Sequence, residues 1–171
     1  MKKLTFLFIF SLLLTSTMHS QSKKELKAEA AAKEFKAMNE LIDSKNYEFM
    51  ADWATSQGGR RVNLTTNANF LKIKNDSADI YLPYFGTMTS GGAAMTSDGG
   101  IVFSGVIDKY EKTIDEKKLK ITVRFSAKTN NDQFDFFMTM YKGGNTLVNL
   151  NSNYRSGIKY DGRTGEIRVK K

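Results

Sequence analysis

The sequence has no cysteine and, among its 171 residues, only one histidine and one proline. Without thiols the protein cannot form disulfides, thiolate metal sites or a cysteine nucleophile. The single histidine, His19, lies in an N-terminal segment that we expect to be removed. The remaining chain would then have neither imidazole nor thiol, which excludes Ser-His-Asp and Cys-His catalysis, structural zinc sites and haem ligation through these residues. We therefore predict a non-enzymatic protein with no cofactor and no metal site.

Residues 1–20 have the pattern of a secretory signal peptide. Met1-Lys2-Lys3 is basic, Leu4 to Leu14 is almost entirely apolar, and small residues lead to Ser20. The apolar run is shorter than the roughly 20 residues that span a bilayer, so a signal peptide is favoured over a membrane anchor. We predict cleavage after Ser20, which leaves residues 21–171 as a single globular domain, periplasmic or secreted, with no transmembrane segment.

Residues 22–46 are predicted to form a helix. Ser22 and Glu25 have the spacing of a capping box, and Asn46 is a suitable left-handed stop. One apolar stripe repeats at spacings of three and four residues, and it consists of Ala28, Ala31, Phe35, Met38 and Ile42. We expect this stripe to pack on the domain's own sheet; a partner-binding or membrane-surface helix is the alternative.

From Tyr47 to Lys171 the apolar period changes to two, which indicates β-strands. The clearest strands are Lys118 to Ala127, with Leu119 among its inward residues, and Gln133 to Tyr141, and a third, Thr146 to Leu150, follows a glycine turn. The other predicted strands are Tyr47 to Thr55 with Tyr47, Phe49, Ala51 and Trp53 inward, Arg61 to Thr65, Phe70 to Lys74, Asp79 to Phe85, Ile101 to Ile107, and Glu166 to Val169. Short turns favour an antiparallel meander. The predicted fold is α+β, mainly β: a curved sheet or partly closed barrel with one N-terminal helix packed on it.

A glycine-rich connection, residues 86–100, follows the only proline, Pro83. Connections of this length without secondary structure are uncommon, and they are typically either functional or mobile. Pro83 cannot donate to a ladder, so its strand should end there or lie at an edge. We predict a binding site at the barrel rim near this loop, formed by Tyr81, Tyr84, Phe85, Gly86, Gly91, Gly92 and Asp98.

Several segments together resemble an exported bacterial family known as domain of unknown function 4251. They are the run Tyr81-Leu82-Pro83-Tyr84-Phe85-Gly86, the glycine-rich segment after it, the strands around Phe125 and Phe136, and Asn151-Ser152-Asn153-Tyr154-Arg155 with Ile158, Tyr160 and Gly162. The resemblance implies secretion in bacteria of the Bacteroidetes type. It implies no activity and no catalytic residues.

Three functions fit the sequence. The first is a monomeric cell-envelope binding module, whose partner is unknown; because the chain carries a formal charge of +8, a glycan or an anionic lipid is possible, whereas export argues against nucleic acid. The second is a carrier of a small apolar ligand, with a void lined by Phe103, Phe125, Phe136 and Met138. The third is a glycan hydrolase, which needs two converging carboxylates among residues such as Asp79, Asp98 and Asp135.

Overall fold

The structure, a computed structural model, describes residues 23–88, 99–130 and 132–168. One helix, α1 (Lys23–Asp43), precedes all of the strands. The strands in the described part of the chain are β1 (Asn46–Ser56), β2 (Arg61–Asn63), β3 (Phe70–Lys74), β4 (Ser77–Leu82), β5 (Ile101–Val106), β6 (Asp108–Asp115), β7 (Lys120–Lys128), β8 (Gln133–Tyr141), β9 (Asn145–Ser152) and β10 (Ile158–Gly165).

The described strands form one antiparallel sheet in the order β5-β4-β3-β1-β10-β9-β8-β7-β6, and β2 pairs with the far half of β1. The first strand lies between β3 and the last strand, β10. The two edge strands, β5 and β6, are consecutive in the chain and are joined through Ile107 alone. The sheet is therefore a nearly closed barrel, which confirms the predicted mainly-β antiparallel fold.

The core is built by alternation along the paired strands. On β8 the inward residues are Phe134, Phe136, Met138 and Met140, as predicted, and all are buried. Phe125 of β7 lies opposite Phe136 in the register, and their rings stack with centroids 4.7 Å apart. Burying a side chain of this size contributes about 1.5–3 kcal/mol. This part of the barrel follows directly from the period of two.

β1 departs from simple alternation because it contains a bulge between Ala51 and Trp53. Tyr47, Phe49 and Ala51 face inward as predicted, but the prediction for Trp53 is wrong: it is 36% exposed. The extra residue of a bulge moves every following side chain to the other face. Ala54, at 1% exposure, takes the inward position instead.

Two residues outside β1 allow this bulge. The side chain of Asn69 acts as a short piece of strand, because the Ala51 N–H donates to its Oδ1 (2.6 Å) while its Nδ2 donates to the Ala51 carbonyl (3.0 Å). On the other side, a Cβ at Gly162 of β10 would overlap the Met50 carbonyl and lie 2.7 Å from Ala51 Cα. The backbones of β1 and β10 therefore approach too closely for a side chain at position 162.

Of helix α1, residues 23–31 belong to an N-terminal unit and residues 32–43 to the unit that contains the strands. In the second unit, Met38 and Ile42 are buried in the barrel core and Phe35 packs against it. The helix ends three residues before the predicted stop at Asn46; Lys45 has the left-handed conformation (φ 48°), and Asn46 already belongs to β1. Within the described residues, no helix is long and apolar enough to cross a membrane.

Two other strand predictions are wrong, and one strand was not predicted. Leu119 was predicted to be an inward residue of the strand, but it lies in a turn with φ 47°, before β7 begins at Lys120, and it is half-buried. β6 was not predicted, because its side chains are mostly exposed and no apolar alternation marks it. The last strand is Ile158–Gly165, before the predicted Glu166 to Val169, and Val169 lies outside the described residues.

Candidate functional site

The described residues of four connections lie at one end of the barrel, which we call the rim: 57–60, 83–88 with 99–100, 129–130 with 132, and 153–157. The register shows why they meet, since Ser56 lies opposite Ile158 and Ile158 lies opposite Leu150. Residues 89–98 and 131 of these connections lie outside the described residues. Three of the predicted site residues, Tyr84, Phe85 and Gly86, lie at this end of the barrel.

Tyr84 connects two of these segments. Its hydroxyl is 2.8 Å from the Thr87 carbonyl, 2.9 Å from the Ser156 carbonyl and 3.0 Å from Ser156 Oγ, so it donates to one acceptor at a time. The backbone adds two bonds: the Ser156 N–H donates to the Thr87 carbonyl, and the Thr87 N–H donates to Ser156 Oγ. The segment after β4 is thereby fixed to the segment after β9.

Gly86 fits between these groups because it has no side chain. A Cβ at this position would overlap the Tyr84 hydroxyl and lie 2.5 Å from Ser156 Oγ. Glycine is therefore required here for close approach. By contrast, a Cβ at Gly58, on the neighbouring rim turn, would meet nothing within 4 Å.

A buried ion pair lies beneath this network. Arg155 Nε is 3.6 Å from Asp132 Oδ2, and both side chains are 7% exposed. The guanidinium lies over two rings, with its Cζ 5.3 Å from the Tyr84 centroid and 5.7 Å from that of Phe134. Such cation–π contacts strengthen when desolvated. Arg155 thus joins the β4–β5, β7–β8 and β9–β10 connections.

In this pair the Asp132 carboxylate has hydrogen-bond donors for its oxygens, whereas most of the Arg155 donors have no acceptor among the described residues. Ser152 Oγ lies 2.9 and 2.8 Å from the two Asp132 carboxylate oxygens and donates its one proton to this carboxylate, and Oδ1 also accepts from the Gln133 N–H (2.8 Å). Arg155 makes one hydrogen bond among the described residues, from Nη1 to the Gly99 carbonyl at 3.5 Å. Its buried Nε has no hydrogen-bond partner there.

Tyr160, on β10, is fully buried and connects this strand to the segment after β4. Its hydroxyl donates to the Pro83 carbonyl at 2.9 Å. Burial raises the pKa of Tyr160 far above its usual value, the neighbouring Tyr84 raises it further, and Arg155 lowers it slightly. The phenol is therefore a neutral donor that holds the end of β4 where Pro83 interrupts it.

An open cleft of about 630 Å³ lies at the rim, between the ends of β1, β9 and β10. Most of its lining residues have polar side chains. They are four hydroxyl residues, three amides and two cations, beside two glycines and two apolar residues: Thr55, Ser56, Ser152 and Ser156, Gln57, Asn149 and Asn151, Arg155 and Lys159, Gly59 and Gly157, Leu150 and Ile158. Thr55, Lys159 and Asn149 are direct cross-strand neighbours on β1, β10 and β9. The volume falls within the range of small-ligand sites.

The structure brings together only some of the predicted site residues. Tyr84, Phe85 and Gly86 lie in the rim segment after β4, where Phe85 packs against the core. Tyr81 is on the outer face of β4, with its ring centroid 6.2 Å from that of Phe70. The other three predicted residues, Gly91, Gly92 and Asp98, lie outside the described residues.

Sequence reasoning missed the groups that line the cleft, including Arg155 and Lys159. In the sequence, Asp132 was a predicted turn residue and one of several carboxylates available to a hydrolase, and Arg155 was noted only as part of the segment Asn151 to Arg155. Their pairing depends on which turns share one barrel end, which strand order decides. The signal that the sequence offered for this site was Arg155 itself, a single cation within the polar segment that follows the predicted strand Thr146 to Leu150.

The alternative functions find little support in the described residues. Asp79 and Asp135 are exposed, on β4 and β8, which are not neighbours in the sheet. Asp135 accepts from Ser126 Oγ (2.7 Å) and Gln133 Nε2 (3.1 Å), which are structural partners. Asp98 lies outside the described residues. In the described part, no group of three His, Cys, Asp or Glu side chains could hold a metal ion.

The carrier hypothesis requires an apolar void, but its four proposed lining residues are packed. Phe103, Phe125, Phe136 and Met138 all belong to one continuous cluster of buried side chains. Phe125 and Phe136 stack directly on each other. These residues fill the barrel interior that a carrier would need to leave open.

The fold thus defines a class: a nearly closed antiparallel barrel with an N-terminal helix and a polar cleft at one rim. The model of the family Domain of unknown function (DUF4251) matches residues 29–164, and the chain belongs to this family. It is similar to the crystal structure of a DUF4251 family protein from Bacteroides eggerthii DSM 20697, with a TM-score of 0.60, 18% sequence identity, and coverage of 81% of this chain and 91% of that chain. No curated protein is a significant match.

Proposed function

We propose that this protein is a non-catalytic, exported binding module of the cell envelope that takes a hydroxyl-rich ligand, such as a glycan, in the rim cleft. The observation that carries the proposal is the set of unused polar groups in that cleft. Thr55, Gln57, Asn149 and Asn151 line it, and their side chains make no hydrogen bond to other described residues. Amides supply both donors and acceptors, which suits sugar hydroxyl groups.

The rigidity of the surrounding rim supports binding. The cleft wall contains Arg155 and Ser156, which the Tyr84 network and the Asp132 ion pair hold in place. A preformed site loses less conformational entropy when the ligand binds than a mobile loop does. The cleft is therefore a site built on fixed elements, with free polar groups directed to solvent.

Export is supported by the sequence pattern of residues 1–20. Its test is the N-terminus of the protein purified from its own cells: export predicts a chain that begins near Gln21 in the envelope or the medium. A protein recovered from the cytoplasm with Met1 still attached would contradict export.

Binding is tested by a glycan array and a thermal-shift screen of residues 21–171. A ligand present at 100 times its Kd raises the free energy of unfolding by about 2.7 kcal/mol, which a melting curve detects. Asn149→Trp should block the cleft and abolish binding to any hit. Asn145→Trp is the matched control, because Asn145 is an exposed residue of the same strand that does not line the cleft.

Two outcomes contradict the proposal. One is the absence of any glycan hit for the folded protein. The other is a hit that Asn149→Trp and Asn145→Trp bind equally well, since binding would then lie elsewhere.

A further inference from the structure

The charges around the rim cleft are one-sided. Among the described residues that line it, Arg155 and Lys159 are cationic and none is acidic. Acidic groups beside the cleft have other partners: Asp161 is 3.9 Å from Arg61, Asp132 is paired with Arg155, and Asp135, opposite the lining residue Asn151, accepts from Ser126 and Gln133. A neutral ligand would not form an ion pair with either of these cations.

Lys159 is the more accessible of the two cations. It is exposed on β10, between Thr55 and Asn149, and makes no ion pair or hydrogen bond with another described residue. Exposed lysines are often unpaired, so the lack of a partner for Lys159 is by itself weak evidence for an anionic ligand. The evidence is stronger because Lys159 lies in the middle of the polar residues that line the cleft.

Arg155 supplies the second, independent observation. Its side chain is 93% buried, yet Nε has no hydrogen bond and Nη1 makes only a long one. A buried N–H without an acceptor costs about 1–3 kcal/mol, and native proteins rarely leave one. Asp132 balances the charge at 3.6 Å but does not satisfy the donor. The guanidinium therefore keeps hydrogen-bonding capacity for a carboxylate in the cleft that Arg155 lines.

We infer that the ligand of the rim cleft carries a carboxylate, and that it is an acidic saccharide. This inference rests on the proposed function and narrows it. The sugar hydroxyls bind the free amide and hydroxyl groups, and the carboxylate binds between Arg155 and Lys159. Arg155 is the residue that distinguishes acidic from neutral sugars, because its guanidinium presents several donors in a fixed plane.

The test uses trigalacturonic acid and its carboxyl-reduced, neutral counterpart, titrated into residues 21–171 by calorimetry. The acidic sugar should bind at least tenfold more tightly. Its affinity should fall as salt rises from about 0.01 M to about 1 M, because the Debye length shortens from about 30 Å to about 3 Å.

Two variants locate the carboxylate. Lys159→Gln should weaken trigalacturonate binding about fivefold, which corresponds to about 1 kcal/mol for an exposed charge pair, and should weaken binding of the neutral sugar less. Lys74→Gln is the matched control, since Lys74 is an exposed strand residue outside the cleft. Arg155→Lys keeps the charge but loses the planar donors, so it should weaken binding about tenfold with its melting curve still cooperative.

The results distinguish glycan binding in the cleft from recognition of a carboxylate by Arg155 and Lys159. Equal binding of both sugars, lost in Asn149→Trp, overturns the carboxylate inference and leaves the proposed function standing. Failure of trigalacturonic acid to bind while another, neutral glycan binds the cleft has the same meaning. Absence of binding by every sugar contradicts the proposed function itself. Acidic preference that survives both Lys159→Gln and Arg155→Lys overturns the assignment of these residues.

Discussion

Removing the Arg155 side chain should destabilise the protein through the carboxylate that it leaves behind. Arg155→Met keeps an unbranched apolar stem but leaves Asp132, 7% exposed, without a counter-charge. Removing one partner of a buried pair costs about 3–5 kcal/mol. Because Asp132 keeps its bonds from Ser152 and Gln133 and the pair is 3.6 Å apart, we expect the low end, about 3 kcal/mol.

The double variant separates charge from packing. If the cost comes from an uncompensated carboxylate, Asp132→Asn combined with Arg155→Met should recover about 2 kcal/mol relative to Arg155→Met alone. Neighbouring groups that share one interaction are non-additive by about 0.5–3 kcal/mol, so this coupling is measurable. Urea unfolding followed by the fluorescence of Trp53, the only tryptophan, gives each free energy of unfolding.

The expected fall in melting temperature for Arg155→Met is about 10 °C, at about 2–4 °C per kcal/mol for a domain of this size. A cost below about 1 kcal/mol would show that the pair is solvated and that the rim is not held by it. Additive costs in the double variant would show that packing, rather than charge, carries the effect.

Three further predictions concern the fold, each measured by urea unfolding. Gly162→Ala should destabilise the protein by about 3 kcal/mol or more, because its Cβ would overlap the β1 backbone. Gly165→Ala on the same strand, where a Cβ meets nothing within 4 Å, should be nearly neutral, and equal effects of the two variants would contradict the close approach of β1 and β10 at Gly162. Asn69→Ala should cost about 1–3 kcal/mol by leaving the Ala51 N–H without an acceptor, and a cost under about 0.5 kcal/mol would mean that water replaces the amide. The raised pKa of Tyr160 means that the folded state keeps a proton which the unfolded chain loses above pH about 10, so stability should be full below that pH and fall above it. Burial also raises the pKa of Tyr47 and of Tyr110, so Tyr160→Phe should reduce this fall without abolishing it, and an unchanged slope would contradict the assignment.

The parts of the fold that sequence could predict are those in which local pattern and tertiary environment agree. Gln133–Tyr141 was predicted with its observed bounds because a strand between two others has one buried face and one outer face. β6 lies at an edge and is mostly exposed, and only Tyr110 of this strand packs against the core, so the strand has no run of alternating apolar residues. β10 was missed because two of its inward-side positions are Gly162 and Thr164, which carry no apolar signal.

Non-local geometry explains the remaining errors. The bulge that turns Trp53 outward depends on Asn69 and Gly162, which lie 16 or more residues away in the chain. The rim cleft has the same origin, because its residues come from β1, β9 and β10 and meet only when the first strand pairs with the last. The segment with Tyr84 and Gly86 could be singled out from sequence, but its partner Ser156 could not.

The most direct test of the account is a map of backbone amide chemical shifts in residues 21–171 during titration with trigalacturonic acid. The account predicts that the shifts concentrate in residues 55–59 and 149–159 and that Asn149→Trp eliminates them. Shifts concentrated on the exposed edge strand β5, around Val102 and Val106, would contradict it.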